Sequence, residues 1–502
     1  MVNYAEVAAV VIYFVAMVAV GVYFFVKSKN STGEKEYFLG GRKMGPWVTA
    51  MSAQASDMSA WLLMGLPGSI LAFGFGKAWI GIGLAIGTAL NWIFVAKRLR
   101  CFSKVAGDSI TVPQYLSNRF LTKSRTLQVI SAIIFLVFFT IYVASAFVAG
   151  TSVFTTLFPS LDSSTAMIIF ALIIIVYTFL GGFNAVCWTD FFQGLLMLVA
   201  ILAVPICVAN ILELDPTLLT KTVIAPDGSE CAFTANFFSA SWQEIISGLG
   251  WGLGYFGMPH IIVRFMSIEK PSMVKKSATV AIIWVILSLA ATIVIAYLGR
   301  MTVGIGEELL AAGNQKLIFI ALARRVFPSF IAGLLLSAII AASMSTADSQ
   351  LLVASSSFTV DIYKPVFRKN ASDKEIQLVG QIVVLIISVV AFFIASSKGE
   401  GAQAIMNMVE NAWAGFGSSF GPVILLSLFW KRLTYKGAVA GVFVGAVVDV
   451  LWLVFLSAST GVYEIIPGFI CGFVAALVVS LADKAPSKEI CDMFDAACKD
   501  VD

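Results

Sequence analysis

The chain of 502 residues is 59% apolar and 12% charged, which is about half the charged share of an ordinary soluble domain. A soluble core cannot hide this much apolar surface, so the composition predicts a protein whose solvent is lipid. The formal net charge of +4 is too small to indicate a nucleic-acid partner. The seven cysteines form no CxxC pair, and we expect no structural disulfide.

About thirteen apolar stretches have the length of a membrane-spanning helix, roughly 20 residues. They cover residues 6–26, 46–73, 78–96, 127–157, 165–182, 191–212, 245–262, 278–299, 329–355, 376–396, 404–430, 437–457 and 465–482. Among the connections, residues 105–125 predict an interfacial helix, residues 213–242 an outer loop, and residues 306–327 a short outer helix. The tail 484–502 is too short for a folded domain.

Lysine and arginine are unevenly distributed over these connections. With the N-terminus placed outside, 26 of the 33 fall in inside segments. Membrane proteins concentrate both residue types on the cytoplasmic side. The distribution therefore predicts an external N-terminus and a cytoplasmic C-terminus.

Two of the spans are interrupted. The span 46–73 carries Asp57 among serines and then meets Gly65-Leu66-Pro67-Gly68, and the span 245–262 holds five glycines before Pro259. Irregular backbone at membrane depth is tolerated where it lines a cavity or packs on protein, so close helix packing is the alternative for each stretch. As a pair at corresponding positions, they indicate an inverted-repeat transporter.

The interruptions start five spans apart, which predicts the following organisation. Residues 1–45 form an N-terminal helix and cytoplasmic loop, 46–212 a first five-helix repeat, 245–430 a second repeat, 437–482 two C-terminal helices, and 483–502 a cytoplasmic tail.

Asp57 lies in mid-span, where a carboxylate costs a few kcal/mol and indicates a functional site. Ser345 and Thr346 are adjacent hydroxyls deep in another apolar helix. Carboxylate, hydroxyl and carbonyl oxygens suit a hard cation such as sodium. The alternatives are a carboxylate bonded to nearby hydroxyls and hydroxyls bonded back to their own helix.

Other polar residues in spans have weaker signals. Asp190 is interpreted either as a helix cap or, with Asp348 and Ser349, as part of a second cation site. Glu410 and Asp449 also lie in spans, with no partner or role evident from the sequence.

Aromatic residues predict the walls of a pocket. Trp251 and Tyr255 share one face of the glycine-rich span, ahead of Pro259, and Tyr142 lies in the fourth span. The single histidine, His260, is interpreted as structural. No phosphate-binding loop, nucleophile motif or metal-binding cluster supports ATP-driven pumping or hydrolysis, so no enzyme is predicted.

Four sequences, FLGGR (38–42), SDMSAWLLMGLPG (56–68), WGLGYFG (251–257) and ASMST (342–346), resemble the solute:sodium symporter family, and the second is typical of its proline-carrying branch. The resemblance implies an all-α membrane protein of the leucine-transporter type. Its thirteen helices would form a 5+5 inverted repeat with two broken helices. It further implies sodium-coupled uptake of L-proline by alternating access in the bacterial inner membrane, with no cofactor besides the transported sodium.

The same resemblance implies roles for individual residues. Sodium would be held by the carbonyls of Ala55, Met58 and Ala342 and the hydroxyls of Ser345 and Thr346, with Asp57 nearby for coupling. The proline pocket would be lined by Tyr142, Trp251, Tyr255, Pro259 and Ser59. Arg42 would lie at the inner vestibule.

Alternatives stay open at this point. Ala60 replaces an expected glycine and Asp348 an expected small uncharged residue, which leaves the sodium stoichiometry open. The same fold could carry another small carboxylate, a vitamin or a sugar. A carrier-like membrane sensor is a rival from a different class, although the short tail holds no output domain. The oligomeric state is unknown.

The charge distribution gives a testable topology. A reporter fused after Asp502 should read cytoplasmic, and one inserted near Asp227 should read external, because lysine and arginine flank the cytoplasmic ends of spans. Reporter activity in whole cells checks both points. The reverse result at either site would break the assignment of the spans.

Overall fold

The structure is a computed structural model that describes residues 2–28, 33–180, 182–398 and 402–501. Within these ranges the chain is almost entirely helical. The only strands there are β1 (Val223–Ile224) and β2 (Glu230–Cys231), an antiparallel hairpin in the long loop that the sequence predicts.

The first half of the chain contains ten α-helices: α1 (Tyr4–Ser28), α2 (Glu34–Leu39), α3 (Pro46–Asp57), α4 (Gly65–Phe73), α5 (Trp79–Leu90), α6 (Lys97–Val105), α7 (Val112–Asn118), α8 (Thr126–Leu157), α9 (Ser163–Leu180) and α10 (Phe183–Ile211). A π-helical segment, Asn91–Ala96, joins α5 to α6, and a short 3-10 helix, Ala60–Leu62, lies between α3 and α4.

The second half contains α11 (Trp242–Gly250), α12 (Pro259–Ser267), α13 (Val274–Met301), α14 (Gly306–Ala311), α15 (Ile318–Val326), α16 (Ser329–Ser356), α17 (Asp373–Lys398), α18 (Ala402–Phe429), α19 (Tyr435–Phe455), α20 (Ser457–Thr460), α21 (Ile465–Ala482) and α22 (Lys488–Lys499). A 3-10 helix, Trp251–Phe256, follows α11, and a π-helical segment, Ser357–Phe367, extends α16.

Ten helical segments of the described chain are long and apolar enough to cross a membrane. Two shorter apolar helices, Ala60–Phe73 and Ser163–Phe179, lie at two more of the predicted spans. The interrupted segment α11–α12 lies at a third. The multi-helix membrane fold is thus confirmed, while the count of thirteen stays a prediction.

Three connections differ in detail from the sequence prediction. The interfacial helix expected at 105–125 is shorter, because it consists of α7 alone, whose start is capped by Thr111 Oγ1 accepting a bond from the Gln114 amide at 3.1 Å. The helix expected at 306–327 is divided into α14 and α15. The tail is not a domain, but α22 packs on α6 through Phe494 and Phe102, whose ring centroids are 5.2 Å apart.

Both predicted helix breaks are present. Met58, with φ −82° and ψ 75°, leaves helical geometry directly after α3. In the second break, the 3-10 helix ends at Phe256 and Pro259 starts α12. Proline suits that first position because its missing N–H would have no helical partner there.

Close packing accounts for the glycines of the second break, as the alternative interpretation holds. A Cβ atom on Gly87 of α5 would lie 2.3 Å from the carbonyl oxygen of Gly252. A Cβ on Gly254 would lie 1.9 Å from the indole nitrogen of Trp413 in α18. The broken segment is therefore both irregular and wedged between α5 and α18, so it is supported on two sides at membrane depth.

This packing predicts that Gly87→Ala reduces the amount of folded protein. The new methyl group meets backbone, which cannot rotate away, and overpacking of this kind costs about 1–3 kcal/mol. Thermal unfolding of the purified protein measures the loss. Gly21→Ala is the matched control, since a Cβ there has nothing within 4 Å. Equal stability of the two variants would contradict the tight contact.

Candidate functional site

The first break leaves backbone carbonyls at the end of α3 to be satisfied from other helices. Ala55 O accepts a hydrogen bond from the Ser345 hydroxyl of α16 at 2.8 Å. Ser56 O accepts from Nε2 of His260 in α12 at 3.2 Å, which supports the structural interpretation of this histidine. The last carbonyls of any helix lack helical partners. Here the unwound turn at Met58 turns them toward α12 and α16.

The two predicted hydroxyls of α16 lie deep in the protein. Ser345 Oγ contacts both Ala55 O, at 2.8 Å, and Ala342 O, at 3.3 Å. Thr346 is fully buried, and its Oγ1 has no hydrogen-bond partner among the described residues. Buried hydroxyls are nearly always bonded. Thr346 Oγ1, Ser345 Oγ and the two carbonyl oxygens that Ser345 contacts are all hard oxygen donors. A small hard cation binds to a set of donors of this kind.

Asp57 links the two broken helices. Its side chain is buried, and Oδ2 accepts a hydrogen bond from the Tyr255 hydroxyl at 2.6 Å. Oδ1 has no partner in the described part of the chain. The main-chain oxygen of Tyr255 accepts from Asn91 at 3.0 Å, so this tyrosine is fixed at both ends. A movement of either break is therefore transmitted to the other through the hydrogen bond between Asp57 and Tyr255.

An aromatic cluster surrounds the second break. Trp251 is 2% exposed and lies 6.3 Å from Trp61, 6.3 Å from Trp413 and 5.4 Å from Tyr463, measured between ring centroids. Trp413 also donates its indole N–H to Trp251 O at 2.8 Å and stands edge-on to Tyr255 at 5.0 Å. The predicted pair Trp251 and Tyr255 is thus part of a five-ring wall.

The remaining predicted pocket residues are buried close to both breaks. Tyr142 of α8 packs edge-on against His260, at 6.3 Å between ring centroids, and so lies at the start of α12 next to Pro259. Ser59 Oγ accepts from the Trp61 amide at 3.5 Å and begins the short 3-10 helix of the first break. These three residues come from α8 and from the two interrupted segments, and the aromatic wall adds Trp413 of α18 and Tyr463 of the connection before α21.

A buried ion pair lies beside this region. Arg264, 1% exposed, contacts Asp190 Oδ2 at 3.2 Å, Ser349 Oγ at 2.5 Å and Ser52 Oγ at 3.1 Å. Asp190 also accepts from Ser52 at 2.7 Å. Both carboxyl oxygens of Asp348 are buried and unbonded among the described residues. Asp190 and Ser349 thus both contact the guanidinium of Arg264, which is a positive charge of the protein itself.

Two interpretations from the sequence are wrong here. Asp190 does not cap a helix, because α10 begins at Phe183 with Gly182 at its N-cap, and Asp190 lies two turns inside. Arg264 lies outside the predicted span 245–262 but within a helix, because α12 continues to Ser267. The ion pair with Asp190 explains why a charged residue is tolerated inside this helix.

Arg42 ties together three segments at the opposite end of α3. Its guanidinium donates to Asp108 Oδ1 at 2.8 Å, to Met266 O at 2.5 Å and to Ser109 O at 2.7 Å. Lys35 forms a second ion pair with Asp108. Burial raises the pKa of Asp108, but hydrogen bonds and charge from Lys35 and Arg42 outweigh it and hold that pKa below its ordinary value. The junction therefore stays ionised at neutral pH.

Several residues of this site were missed by the sequence analysis. Trp61 was detectable, since it lies inside the quoted stretch 56–68, and Arg264 was detectable as a charge in an apolar stretch. Asn91, Trp413 and Tyr463 carry no local signal, because helices far away in sequence bring them to the site.

The geometry defines a class of protein. Two interrupted spanning helices meet at a buried carboxylate, one offers carbonyls to hydroxyls of a third helix, and an aromatic wall lies alongside. Broken helices that offer such groups at membrane depth characterise secondary transporters, in which ion and substrate bind at the breaks.

Comparison with known proteins agrees with this class. The profile described as the sodium:solute symporter family matches residues 37–445, and the chain belongs to this family. It is therefore a transporter and not an enzyme. It is 43% identical over 496 residues to the high-affinity proline transporter PutP of Bacillus subtilis (strain 168), covering 95% of this chain and 98% of the relative. It is 42% identical over 488 residues to the sodium/proline symporter of Escherichia coli (strain K12), covering 97% and 95%.

A solved structure supports the fold. The chain is similar to a sodium-coupled sialic acid symporter solved in a substrate-bound outward-open state, with a TM-score of 0.72 at 20% identity and coverage of 97% of this chain and 99% of that one. The fold is accordingly of the leucine-transporter type, as the sequence resemblance implies.

The aromatic wall yields a prediction. Trp251→Ala should raise the half-saturating concentration of the transported solute much more than that of sodium, since deleting an apolar wall removes contacts worth on the order of 1–3 kcal/mol. Uptake kinetics normalised to membrane protein level measure both constants.

Trp284→Ala is the matched control, because this equally buried tryptophan contacts Gly194 O of α10 and lies outside the aromatic wall. It should lower protein yield without a selective effect on solute affinity. Unchanged solute dependence in well-folded Trp251→Ala would place the pocket elsewhere.

Proposed function

We propose that this chain is a sodium/proline symporter that takes up L-proline into bacteria by alternating access. The observation that carries the proposal is the contact of Ser345 Oγ with the Ala55 carbonyl at the break of α3, which is the donor set for a sodium ion. The substrate is proposed from the relatives in Bacillus subtilis and Escherichia coli, whose names specify proline.

In this proposal one sodium ion binds between α3 and α16. Its ligands are the carbonyls of Ala55, Met58 and Ala342 and the hydroxyls of Ser345 and Thr346. The orphaned hydroxyl of Thr346 supports the assignment, because a bound cation supplies the partner that the described residues lack. Sodium there holds the unwound turn in one shape and so prepares the neighbouring substrate pocket.

Proline binds next to the sodium, against Tyr142, Trp251, Tyr255, Pro259 and Ser59. The aromatic faces pack on its ring, and unwound backbone offers amides to its carboxylate and carbonyls to its ammonium group. Asp57 does not ligate sodium directly but couples the two breaks through the Tyr255 hydroxyl. Because coupling of binding is reciprocal, sodium raises proline affinity by the factor by which proline raises sodium affinity.

Asp190, Asp348 and Ser349 are proposed as a second cation site, in which the guanidinium of Arg264 already neutralises one carboxylate. The free oxygens of Asp348 support the proposal that this site takes a further cation. Arg42 is proposed to hold the inner vestibule closed through Met266 and Ser109, which places it at the cytoplasmic end of the pathway.

The driving force suffices for accumulation without ATP. Moving one positive charge down about 100 mV yields about 2.3 kcal/mol, and a tenfold sodium gradient adds about 1.4 kcal/mol. The sum of about 3.7 kcal/mol supports several hundredfold accumulation at one sodium per proline.

The first experiment is uptake of labelled proline into proteoliposomes with and without an inward sodium gradient. Sodium-dependent, saturable uptake supports the proposal. Competition by other small carboxylates, vitamins or sugars separates the rival substrates. Binding without transport would favour a sensor.

The sodium site gives the sharpest prediction. Thr346→Ala removes an oxygen ligand and should shift the sodium dependence of proline uptake to higher concentration, by about tenfold for a loss of about 1.4 kcal/mol. High sodium should then restore much of the proline affinity. Asp57→Asn should do the same or abolish uptake, because it removes charge but keeps shape.

Ser343→Ala is the matched control, because that hydroxyl donates to Ile339 O within its own helix at 3.0 Å. It should leave the sodium curve unchanged. If Thr346→Ala and Asp57→Asn both show a normal sodium dependence of proline uptake at normal protein levels, the assignment of the sodium site is wrong. The assignment of the family would still stand.

A further inference from the structure

The C-terminal helix α22 packs on the end of the protein that carries the Arg42 junction. Arg42 Nη1 donates to Ser103 Oγ of α6 at 3.1 Å. On the same helix, the Cys101 thiol donates to Asp500 O, which directly follows α22, at 3.3 Å. The charge distribution predicts that this end is cytoplasmic. The tail is therefore a helix held against the inner end of α6.

Two arginines join the inner end of α18 to its neighbours. Arg98 of α6 donates through Nε to Leu428 O at 3.1 Å, and Arg119, at the end of α7, donates through Nε to Ser427 O at 3.2 Å. Both carbonyls lie in the last turn of α18, where carbonyls lack helical partners and the helix dipole is negative. Arginine side chains commonly satisfy such carbonyls. The two arginines therefore cap α18 and tie it to α6 and α7.

The helix α22 contacts both capping arginines. Phe494 of α22 is 7% exposed, and its ring centroid lies 5.0 Å from the guanidinium of Arg119. Arg98 Nη2 donates to Cys498 Sγ, in the last turn of α22, at 3.4 Å. Arg119 is only 1% exposed, and its Nη1 and Nη2 have no hydrogen-bond partner among the described residues. Because a guanidinium gains most from an aromatic ring where water is excluded, the docked α22 stabilises the buried form of these caps.

An ion pair also links α22 to the end of α18. Asp495 pairs with Lys431, just after α18, at 2.5 Å, but the two side chains are 51% and 44% exposed. Exposed ion pairs contribute little to stability. The buried contacts of Phe494 with Phe102 and Arg119 are therefore the main attachment of α22. Because α22 is attached to α6 and to the capped end of α18, it cannot follow both if these ends move apart.

The two helices that α22 joins both lead to the second break. α6 continues the π-helical segment whose Asn91 side chain donates to Tyr255 O at 3.0 Å. α18 carries Trp413, which donates to Trp251 O at 2.8 Å. The helix α22 therefore holds together the inner ends of two helices whose middle parts support the broken segment. A change in the distance between these inner ends would reach the site through the same two helices.

We propose that α22 is a latch that keeps the inner ends of α6 and α18 together while the binding site faces outward, and that α22 undocks when the site opens inward. This inference rests on the proposed function and adds a conformational control to it. Undocking exposes Phe494 and hydrates the two capping arginines, so docking favours the outward-facing state. Alternating access is a shift between two such states, and loosening the latch raises the inward-open fraction.

Hydrogen exchange of α22 tests whether its docking depends on the state of the protein. In the proposed mechanism, sodium holds the first break in one shape and favours the outward-facing state. In the full-length protein in lipid nanodiscs, the amides of α22 should exchange at least about threefold more slowly in sodium than in potassium, because docked segments are protected. In Phe494→Ala, their exchange should be fast in both salts. Equal exchange of the unaltered protein in the two salts would overturn the latch.

Transport measurements test whether the latch acts on the binding site. In proteoliposomes, Phe494→Ala should raise the half-saturating external concentrations of both sodium and proline about two- to fivefold, because a smaller fraction of the protein faces outward. A chain that ends at Ser487 lacks α22 and should show the same rise if Phe494→Ala folds poorly. Unchanged constants in a folded variant whose α22 exchanges fast would overturn the latch, since α22 would then be only a structural support.

Phe455→Ala is the matched control, because this phenylalanine ends α19 at the opposite end of that helix from the latch and is 71% exposed. It should change neither the exchange of α22 nor the two constants, and effects equal to those of Phe494→Ala would overturn the latch. Absence of sodium-driven proline uptake by the unaltered protein would instead overturn the proposed function. The sodium dependence of α22 exchange still decides the latch in that case, because it requires no transported solute.

Discussion

In lipid, every backbone N–H and C=O group must find its partner inside the protein. An intact helix meets this demand by itself, and an interrupted one does not. The end of α3 satisfies it through the Ser345 hydroxyl and the His260 ring, which reach Ala55 O and Ser56 O from α16 and α12. The site therefore lies where the broken helix depends on other helices for part of its hydrogen bonding.

The same demand makes the two breaks interdependent. Asp57 and Tyr255 bond to each other across them, and Asn91 bonds to the tyrosine main chain from the π-helical segment after α5. The glycine-rich segment has little freedom of its own, because Gly252 lies directly against Gly87. A ligand bound at one break is thus positioned to act on the other, which is what coupled transport requires.

The two ends of the proposed transport pathway, at Arg42 and at Trp251, differ in chemistry. At one end, Arg42 and Asp108 join three segments through charge-assisted bonds that persist at neutral pH. At the other, a cavity of about 450 Å³ lined by Glu244, Glu410 and Glu464 reaches Trp251. One face is thus closed by an ionic junction, whereas the other opens into a polar cavity. Alternating access requires that the protein can also adopt the reverse arrangement, in which the first face is open and the second is closed.

The sequence by itself determined the membrane class and both breaks, and it singled out Asp57, Ser345, Thr346 and Trp251 as candidate site residues, because hydropathy and misplaced polar groups are local signals. It did not determine which residues complete the site. It left Asp190 open between a helix cap and a second cation site, and its span 245–262 stopped short of Arg264, the residue that pairs with Asp190 in the structure. Trp413 of α18 and Tyr463 of the connection before α21 reach Trp251 from more than 160 residues away in sequence. Tertiary structure decided these contacts, because they depend on which helices pack together, and hydropathy is the same for every arrangement of apolar helices.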